Sequence, residues 1–151
     1  MTTRTEVIKE ARDWLGTRYR HQSSVKGVAC DCIGLIFGVG AALGIYPKDW
    51  HTLPGIEDFS SYGRTPHKDM LRKGCEQYAI PIVWENAKAG DIVLMNFQNE
   101  PWHMAILGDY PLGGFSLIHA YAPRRKVVEA RLDSVWLDHI TASYSLPGVT
   151  E

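Results

Sequence analysis

The feature that most constrains the fold of this chain is a change of hydrophobic period near residue 90. Before it, apolar residues recur at helical spacing, and after it short β-rich runs are separated by Gly, Pro, Asn and Asp. These runs cover residues 91–97, 103–107, 115–120, 127–132 and 140–146. Helices followed by consecutive strands with short connections predict an α+β fold, with N-terminal helices packed on an antiparallel sheet of about five strands.

Three helices are predicted before this change. Thr3 and Glu6 have the spacing of a capping box, which marks the start of the first helix. Residues 48–64 combine mixed turn signals and are expected to form a long covering loop. The predicted helices cover about residues 4–15, the apolar segment from Cys32 to near Gly44, and a segment opened by Thr65 and Pro66.

The composition is that of one ordinary globular domain over residues 1–151, of which 45% are hydrophobic and 22% charged. A formal net charge of -1 excludes a broad basic surface for nucleic acid. No apolar run is long enough to cross a membrane. The first residues lack the layout of a secretory signal, so we expect the chain to be made in the cytoplasm and not exported by that route.

The three cysteines, Cys30, Cys32 and Cys75, are too few for a disulfide scaffold and are predicted to be free thiols. Cys75 falls on the apolar face of the third helix and is expected in the core. Cys32 follows Asp31 at the first turn of an apolar helix, where unpaired backbone N–H groups favour a thiolate. This position is compatible with a reactive nucleophile and with a buried core residue, because free cysteine is among the most buried residue types.

Two histidines, His103 and His119, fall inside the apolar runs of the second half. A lone strand histidine is more often structural than catalytic. An imidazole can nevertheless take the proton of a thiol near neutral pH, and a second polar group can orient that imidazole. Together with Cys32, the two histidines predict a thiol nucleophile whose partners meet it only in the fold.

Four short motifs carry these residues in order along the chain. They are Asp31-Cys32-x-Gly34-Leu35, Gly90-Asp91-Ile92-Val93, His103-Met104-Ala105-Ile106 and Ile118-His119-Ala120. They resemble the successive motifs of the NlpC-type cell-wall cysteine peptidases, and the resemblance extends from about Trp14 to Ala120. Members of that family are papain-like enzymes that cut peptidoglycan stem peptides, typically next to D-glutamate. The stretch from Tyr19 to Cys32 especially resembles the branch encoded beside phage tail and gene-transfer-agent genes.

This resemblance implies that Cys32 is the nucleophile, His103 the general base and His119 the polar residue that orients the base. It also implies that Tyr19 lies beside the cysteine and helps to bind the substrate or the oxyanion. Asp31 matches an aspartate whose carboxylate can meet a free amine on the stem peptide. The resemblance implies no cofactor and no metal.

Two residues depart from the family pattern and affect the expected substrate detail more than the triad. Ile33 stands where serine is common, and Cys30 is a thiol that many members lack. Trp102, beside His103, is compatible with a pocket wall and with simple packing.

The family branch and the missing signal pattern together suggest where the chain acts. We expect it to be incorporated in a phage-like particle, to contact tail-tip proteins and to open the cell wall during entry. Three alternatives remain open. One is a structural tail-tip protein with a vestigial peptidase fold, another is an amidase or acyltransferase on the same fold, and the third is a metal site. The metal site would use Cys30, Cys32, His103 and His119, whose spacing is unusual for structural zinc.

Overall fold

The computed structural model describes residues 1–56, 68–97 and 100–151, with the backbone alone described for residues 68–70 and 100–102. The helices are α1 (Arg4–Asp13), α2 (Cys32–Ala42), α3 (Lys68–Tyr78) and α4 (Ser134–Leu137). The first six strands are β1 (Thr2–Thr3), β2 (Arg18–Tyr19), β3 (Ser24–Val25), β4 (Ala29–Cys30), β5 (Ile80–Ile82) and β6 (Ile92–Phe97). The other five are β7 (Glu100–Asp109), β8 (Phe115–Tyr121), β9 (Lys126–Arg131), β10 (Ile140–Ser145) and β11 (Val149–Thr150).

The main sheet confirms the five predicted runs, which form β6 to β10 with antiparallel pairing between neighbours. The expected number of about five strands is wrong, because the described part of the sheet has nine, in the order β3-β4-β2-β9-β8-β7-β6-β10-β5. The four additional strands are two or three residues long. Segments this short carry no readable alternation, so a hydrophobic pattern could not predict them.

The first helix begins as the capping box predicts. The backbone N–H of Glu6 donates to the Thr3 hydroxyl over 3.2 Å, and the Thr3 N–H donates to the Glu6 carboxylate over 2.7 Å. Arg4 at its first turn contacts the buried carboxylate of Asp91 at 2.6 Å, which ties α1 to the start of β6. The predicted third-helix start at Thr65, and residues 57–64 of the predicted covering loop, lie outside the described residues.

Helix α2 is buried on almost every side and packs against β7 and β8. Its first turn touches the loop before β3 so closely that a Cβ on Gly34 would lie 2.0 Å from the Ser23 carbonyl oxygen. The Ser24 hydroxyl donates to the Gly34 carbonyl over 2.7 Å. Glycine is therefore required at position 34 for the loop and the helix start to meet.

The two faces of the main sheet are covered differently. The inner core contains side chains of α1, α2 and α3 packed on alternate strand residues such as Leu94, Ile106 and Ile118. The intervening strand residues form an outer cluster of Val93, Met95, Ala105, Leu107 and Leu117. Partly buried residues cover the outer cluster. They include Phe97 and Phe115 at strand ends, and Trp84 and Trp136 in short helical segments.

Among the residues that the structure describes, no helix combines the length and the apolar character that a bilayer crossing requires.

Candidate active site

Cys32 is the first residue of α2, which confirms the predicted helix start. Asp31 is the N-cap, and its two carboxylate oxygens accept backbone N–H groups from Gly34 at 2.7 Å and from Gln22 at 2.8 Å. The side chain of Asp31 is buried and therefore holds the helix start against the preceding loop. Its expected contact with a substrate amine stays a prediction.

The thiol of Cys32 is nearly buried, with 8% of the residue exposed. Its pKa is raised to about 12, mainly by burial and to a smaller extent by the neighbouring charge of Asp31. The backbone N–H groups of Met104, Ile33 and Cys32 itself donate toward the sulfur and lower the pKa, but burial outweighs them. The N–H groups at the helix start therefore lower the pKa, as expected, but they do not outweigh burial, and Cys32 is a neutral thiol in the substrate-free protein.

The contact with Met104 also places the Cys32 sulfur beside the strand residue that follows His103. His103 on β7 and His119 on β8 share a hydrogen bond of 2.7 Å between Nε2 of His103 and Nδ1 of His119. The structure therefore brings the two predicted histidines together, with the backbone of β7 against the cysteine.

Both histidines are neutral at pH 7. Burial lowers the pKa of His103 to about 3, with a smaller contribution from the charge of His119. Burial alone lowers the pKa of His119 to about 4. Two neutral imidazoles joined by one hydrogen bond must consist of one donor and one acceptor, so the position of a single proton defines the state of the pair.

Two aromatic residues that the sequence analysis missed surround His119. The Tyr121 ring stacks on it with centroids 4.9 Å apart and planes at 19°, and the Trp136 ring lies 5.2 Å away at 85°. Tyr121 follows His119 by two residues on β8, so strand periodicity could have placed both on one face. Trp136 comes from the four-residue helix α4, and no local pattern links it to a histidine far away in the sequence.

Tyr19 lies on β2, where its backbone N–H donates to the Arg125 carbonyl over 2.9 Å. Its strand partner in the parallel β2 and β4 pair is Cys30, and its partly buried ring packs against the inner core. Its substrate-binding role stays a prediction. Cys30 is completely buried, and burial raises its pKa to about 12, so this additional thiol is a core residue.

A cleft of about 340 Å³ lies beside the first turn of α2. Asp31 and Ile33 line it together with Lys48 and Trp50 from the segment that follows α2. Gln22, which also lines it, adopts the left-handed conformation at φ 61°, and this turns its N–H toward Asp31. Ile33, which stands where serine is common in the family that the motifs resemble, is therefore a largely buried residue in the wall of this cleft.

The remaining predictions concern the cysteines, the alternative metal site and Trp102. Cys30, Cys32 and Cys75 are all free and buried, as predicted for their redox state and, for Cys75, for its place in the core. Within residues 1–56, 68–97 and 100–151, no three His, Cys, Asp or Glu side chains are placed to hold a metal ion, so the alternative metal site gains no support. The side chain of Trp102 lies outside the described part of the chain.

No family model and no curated protein matches this chain. Among solved structures, the NlpC/p60 domain of the peptidoglycan hydrolase SagA is similar with a TM-score of 0.61 and 19% identity, over 96% of this chain and 100% of that one. A lipoprotein-like NLP/P60-family protein from Staphylococcus aureus is similar with a TM-score of 0.58 and 18% identity, over 98% of this chain and 42% of that one. An N-acetylmuramoyl-L-alanine amidase from Bacteroides uniformis is similar with a TM-score of 0.57 and 13% identity, over 93% of this chain and 96% of that one.

The chain thus spans less than half of the Staphylococcus aureus protein and the whole length of the SagA domain. At these identities the comparisons establish the fold. The chain has the papain-like α+β fold of NlpC/p60 domains, as the order of its motifs predicted.

Proposed function

We propose that this chain, built on the fold of NlpC/p60 domains, is a cysteine peptidase that hydrolyses peptidoglycan stem peptides. Because one fold hosts many activities, the chemistry of the site decides the function. The observation that carries it is the 2.7 Å hydrogen bond between His103 on β7 and His119 on β8. The residue after His103 on β7 is Met104, whose N–H reaches the Cys32 sulfur. A peptidoglycan hydrolase among the similar structures supports the same substrate class.

The hydrogen bond assigns a role to each nitrogen of His103. Its Nε2 is engaged with His119, so Nδ1 is the nitrogen available to the Cys32 thiol. At rest both groups are neutral, because burial raises the pKa of the thiol and lowers the pKa of the imidazole. The proton therefore passes from Sγ to Nδ1 as the sulfur attacks the substrate carbonyl carbon.

The remaining steps follow acyl-transfer chemistry. His103 gives its proton to the leaving amine as the peptide C–N bond breaks, which leaves an acyl group on Cys32. His103 then takes a proton from water as the water oxygen attacks the acyl carbon. The C–S bond breaks, the acid is released, and His103 returns the proton to the sulfur. The backbone N–H groups of Cys32 and Ile33, which stabilise a charge on the sulfur, also stabilise negative charge on the carbonyl oxygen.

The cleft beside α2 is the proposed substrate site. It combines the Asp31 carboxylate with the Lys48 ammonium, which suits a short peptide that carries both an amine and carboxylates. From the motif resemblance, Asp31 meets the amine of the stem peptide and Tyr19 lies beside the reacting carbonyl. The same resemblance leads us to propose cleavage next to D-glutamate.

Digestion of purified peptidoglycan followed by mass analysis of the fragments tests the activity. Cys32→Ala and His103→Ala should each lower the rate by at least about 100-fold, because each removes a proton-transfer partner. Cys75→Ala is the matched control, since it removes a buried thiol on α3 and should cost stability alone. Equal loss of activity in all three folded variants would contradict the assignment.

The role of His119 is tested in the same assay. His119→Asn should retain measurable activity because an amide oxygen can still accept the Nε2 proton of His103, whereas His119→Ala should lose far more. If the asparagine variant were as inactive as the alanine variant, His119 would have another role.

An amidase is the second candidate, because an N-acetylmuramoyl-L-alanine amidase is among the similar structures. The fragment masses separate the two activities. Fragments cut within the stem peptide indicate the peptidase, and intact stem peptides released from the glycan indicate the amidase. If no wall preparation is cut, the alternative of a structural protein with a vestigial site is favoured.

We further propose that the chain acts from a phage-like particle, in contact with tail-tip proteins. The support is the resemblance of residues 19–32 to the branch found beside phage tail genes. Purified particles should contain the chain in a few copies and should lose wall-digesting activity when they carry Cys32→Ala. If the protein were found only free in the cytoplasm, this result would contradict the proposed role in entry and would leave the proposed peptidase activity unaffected.

A further inference from the structure

We propose that Trp136 holds His119 in a single tautomer by accepting its Nε2–H on the face of the indole ring, which keeps Nδ1 of His103 free of a proton. Trp136 would thus be a positioning residue. Its effect on catalysis rests on the proposed function, whereas its effect on the tautomer does not.

The proton arrangement in the histidine pair decides whether His103 can act as a base. If His119 donates from Nδ1, His103 accepts at Nε2 and must carry its own proton on Nδ1, so it cannot take one from Cys32. If His103 donates from Nε2, its Nδ1 is free, and His119 must carry its proton on Nε2. The productive arrangement therefore requires a protonated Nε2 on His119.

That nitrogen lies in an unfavourable place for an N–H group. His119 is fully buried, and its Nε2 has no nitrogen or oxygen partner in the part of the chain that the structure describes. A buried donor without an acceptor loses its hydrogen bonds to water and gains none in the protein, which is energetically costly. Unless another group accepts this proton, burial disfavours the tautomer that the chemistry needs.

The Trp136 ring is positioned to accept it. The centroid of the Trp136 ring lies 5.2 Å from that of His119 and 5.4 Å from that of Tyr121. The centroids of His119 and Tyr121 are 4.9 Å apart, so Trp136 lies beside the stacked pair and contacts both rings. Its plane stands at 85° to that of His119. Because Tyr121 stacks on the imidazole face, we infer that the perpendicular indole meets the imidazole edge that carries Nε2. An aromatic face carries negative charge density and accepts such a group.

Other contacts fix the orientation of the indole. Asp133 is the N-cap of α4 and accepts the backbone N–H of Trp136 at 3.1 Å. The Phe97 ring on β6 contacts the indole at 5.7 Å and 88°. The acceptor face is therefore held by a helix cap and by a strand residue, and neither contact involves His119.

Long-range ¹H–¹⁵N spectra of the histidine rings test the tautomer directly in the full chain at pH 7. In the wild type, both His103 and His119 should carry their protons on Nε2. Trp136→Phe keeps an aromatic face and should keep this state. Trp136→Leu fills space without a π face and should shift the His119 tautomer ratio toward Nδ1–H by about two- to fivefold.

Trp84→Leu is the matched control, because Trp84 also covers the outer cluster and its described ring contact is with Phe115. It should leave the tautomer unchanged. In the hydrolysis assay, Trp136→Leu should lower kcat in proportion to the fall in the Nε2–H fraction of His119, and therefore by less than about fivefold, with KM unchanged. Trp136→Phe should restore kcat.

A wild-type His119 with its proton on Nδ1, or a Trp136→Leu protein with an unchanged tautomer, would overturn the proposal. Because the spectra need no substrate, a protein that fails to cut peptidoglycan but shows the expected tautomers would contradict the proposed function alone.

Discussion

The two faces of the main sheet are built by different means. The inner core is closed by three helices and filled mainly by aliphatic side chains. The outer cluster is closed by aromatic side chains that come from strand ends and from short segments such as α4. Because the helices bury large, continuous areas against the sheet and against each other, the position of α2 is fixed by many contacts. On the other face, single aromatic rings cover the sheet, so individual ring contacts determine the local geometry.

The candidate site draws on both layers. Cys32 belongs to the inner core, while His119 contacts Trp136, which packs on the outer cluster. His103 connects the two layers. The next residue on its strand, Met104, contacts the Cys32 sulfur through its backbone, and the His103 ring is hydrogen-bonded to His119. We therefore expect changes in the inner core to affect stability and changes around His119 to affect the protons of the site.

The largest expected effect belongs to the inner core. Leu35 on α2 is completely buried, so Leu35→Ala should lower the free energy of unfolding by about 2–5 kcal/mol, as measured by urea denaturation. Leu112→Ala is the matched control, because Leu112 is 90% exposed and should change the value by less than about 0.5 kcal/mol. A small effect at Leu35 would mean that the helix-covered face is not the main source of stability.

The second effect is a pH dependence that arises at His103 and His119. Both have a folded pKa below the ordinary value of 6.5, so the unfolded chain binds protons first as the pH falls. The free energy of unfolding should be level above about pH 7 and should decrease below about pH 6.5, by about 2 kcal/mol per histidine at pH 5. The decrease should continue toward pH 3 to 4, where the folded protein also becomes protonated.

His119→Asn should remove a large part of this pH dependence. Trp84→Leu, which removes a ring from the same layer without removing an imidazole, should lower stability similarly at all pH values. If His119→Asn kept the full decrease between pH 6.5 and pH 5, the buried imidazoles would not be its source.

The smallest expected effect is at Tyr121, whose ring stacks on His119. Tyr121→Leu should cost about 1 kcal/mol of unfolding free energy, because an aromatic pair is lost. Tyr121→Phe keeps the ring and should stay within about 0.5 kcal/mol of the wild type. Equal losses in the two variants would show that the hydroxyl group, and not the stacking, stabilises this layer.

The sequence predicted the regular parts of the fold better than the short ones, for a physical reason. The capping box at Thr3, the start of α2 at Cys32 and strands β6 to β10 are local patterns, and they can be read from adjacent residues. The two-residue strands β2 to β4 are too short for a readable alternation, and β2 is joined to the main sheet by pairing with the distant strand β9, so no local pattern encodes them.

The same distinction applies to the site. The pairing of His103 with His119 was anticipated because each lies in a strand pattern and the motifs occur in a known order. The neutral state of Cys32 was not anticipated, because the position of Cys32 at a helix start can be read from the sequence, whereas its burial depends on the whole fold. Trp136 was missed for a related reason, since α4 reaches His119 only through the tertiary structure.

The pairing of β1 with β11 has a consequence for the order of folding. Thr2 pairs with Val149 and Thr3 with Thr150, so this small ladder joins segments at the two ends of the described chain. Closing so long a loop costs chain entropy that two residue pairs cannot offset alone, so the ladder should form after the main sheet has brought the segments together. Thr3 is also the N-cap of α1, so late closure of the ladder anchors the residue at which the first helix begins.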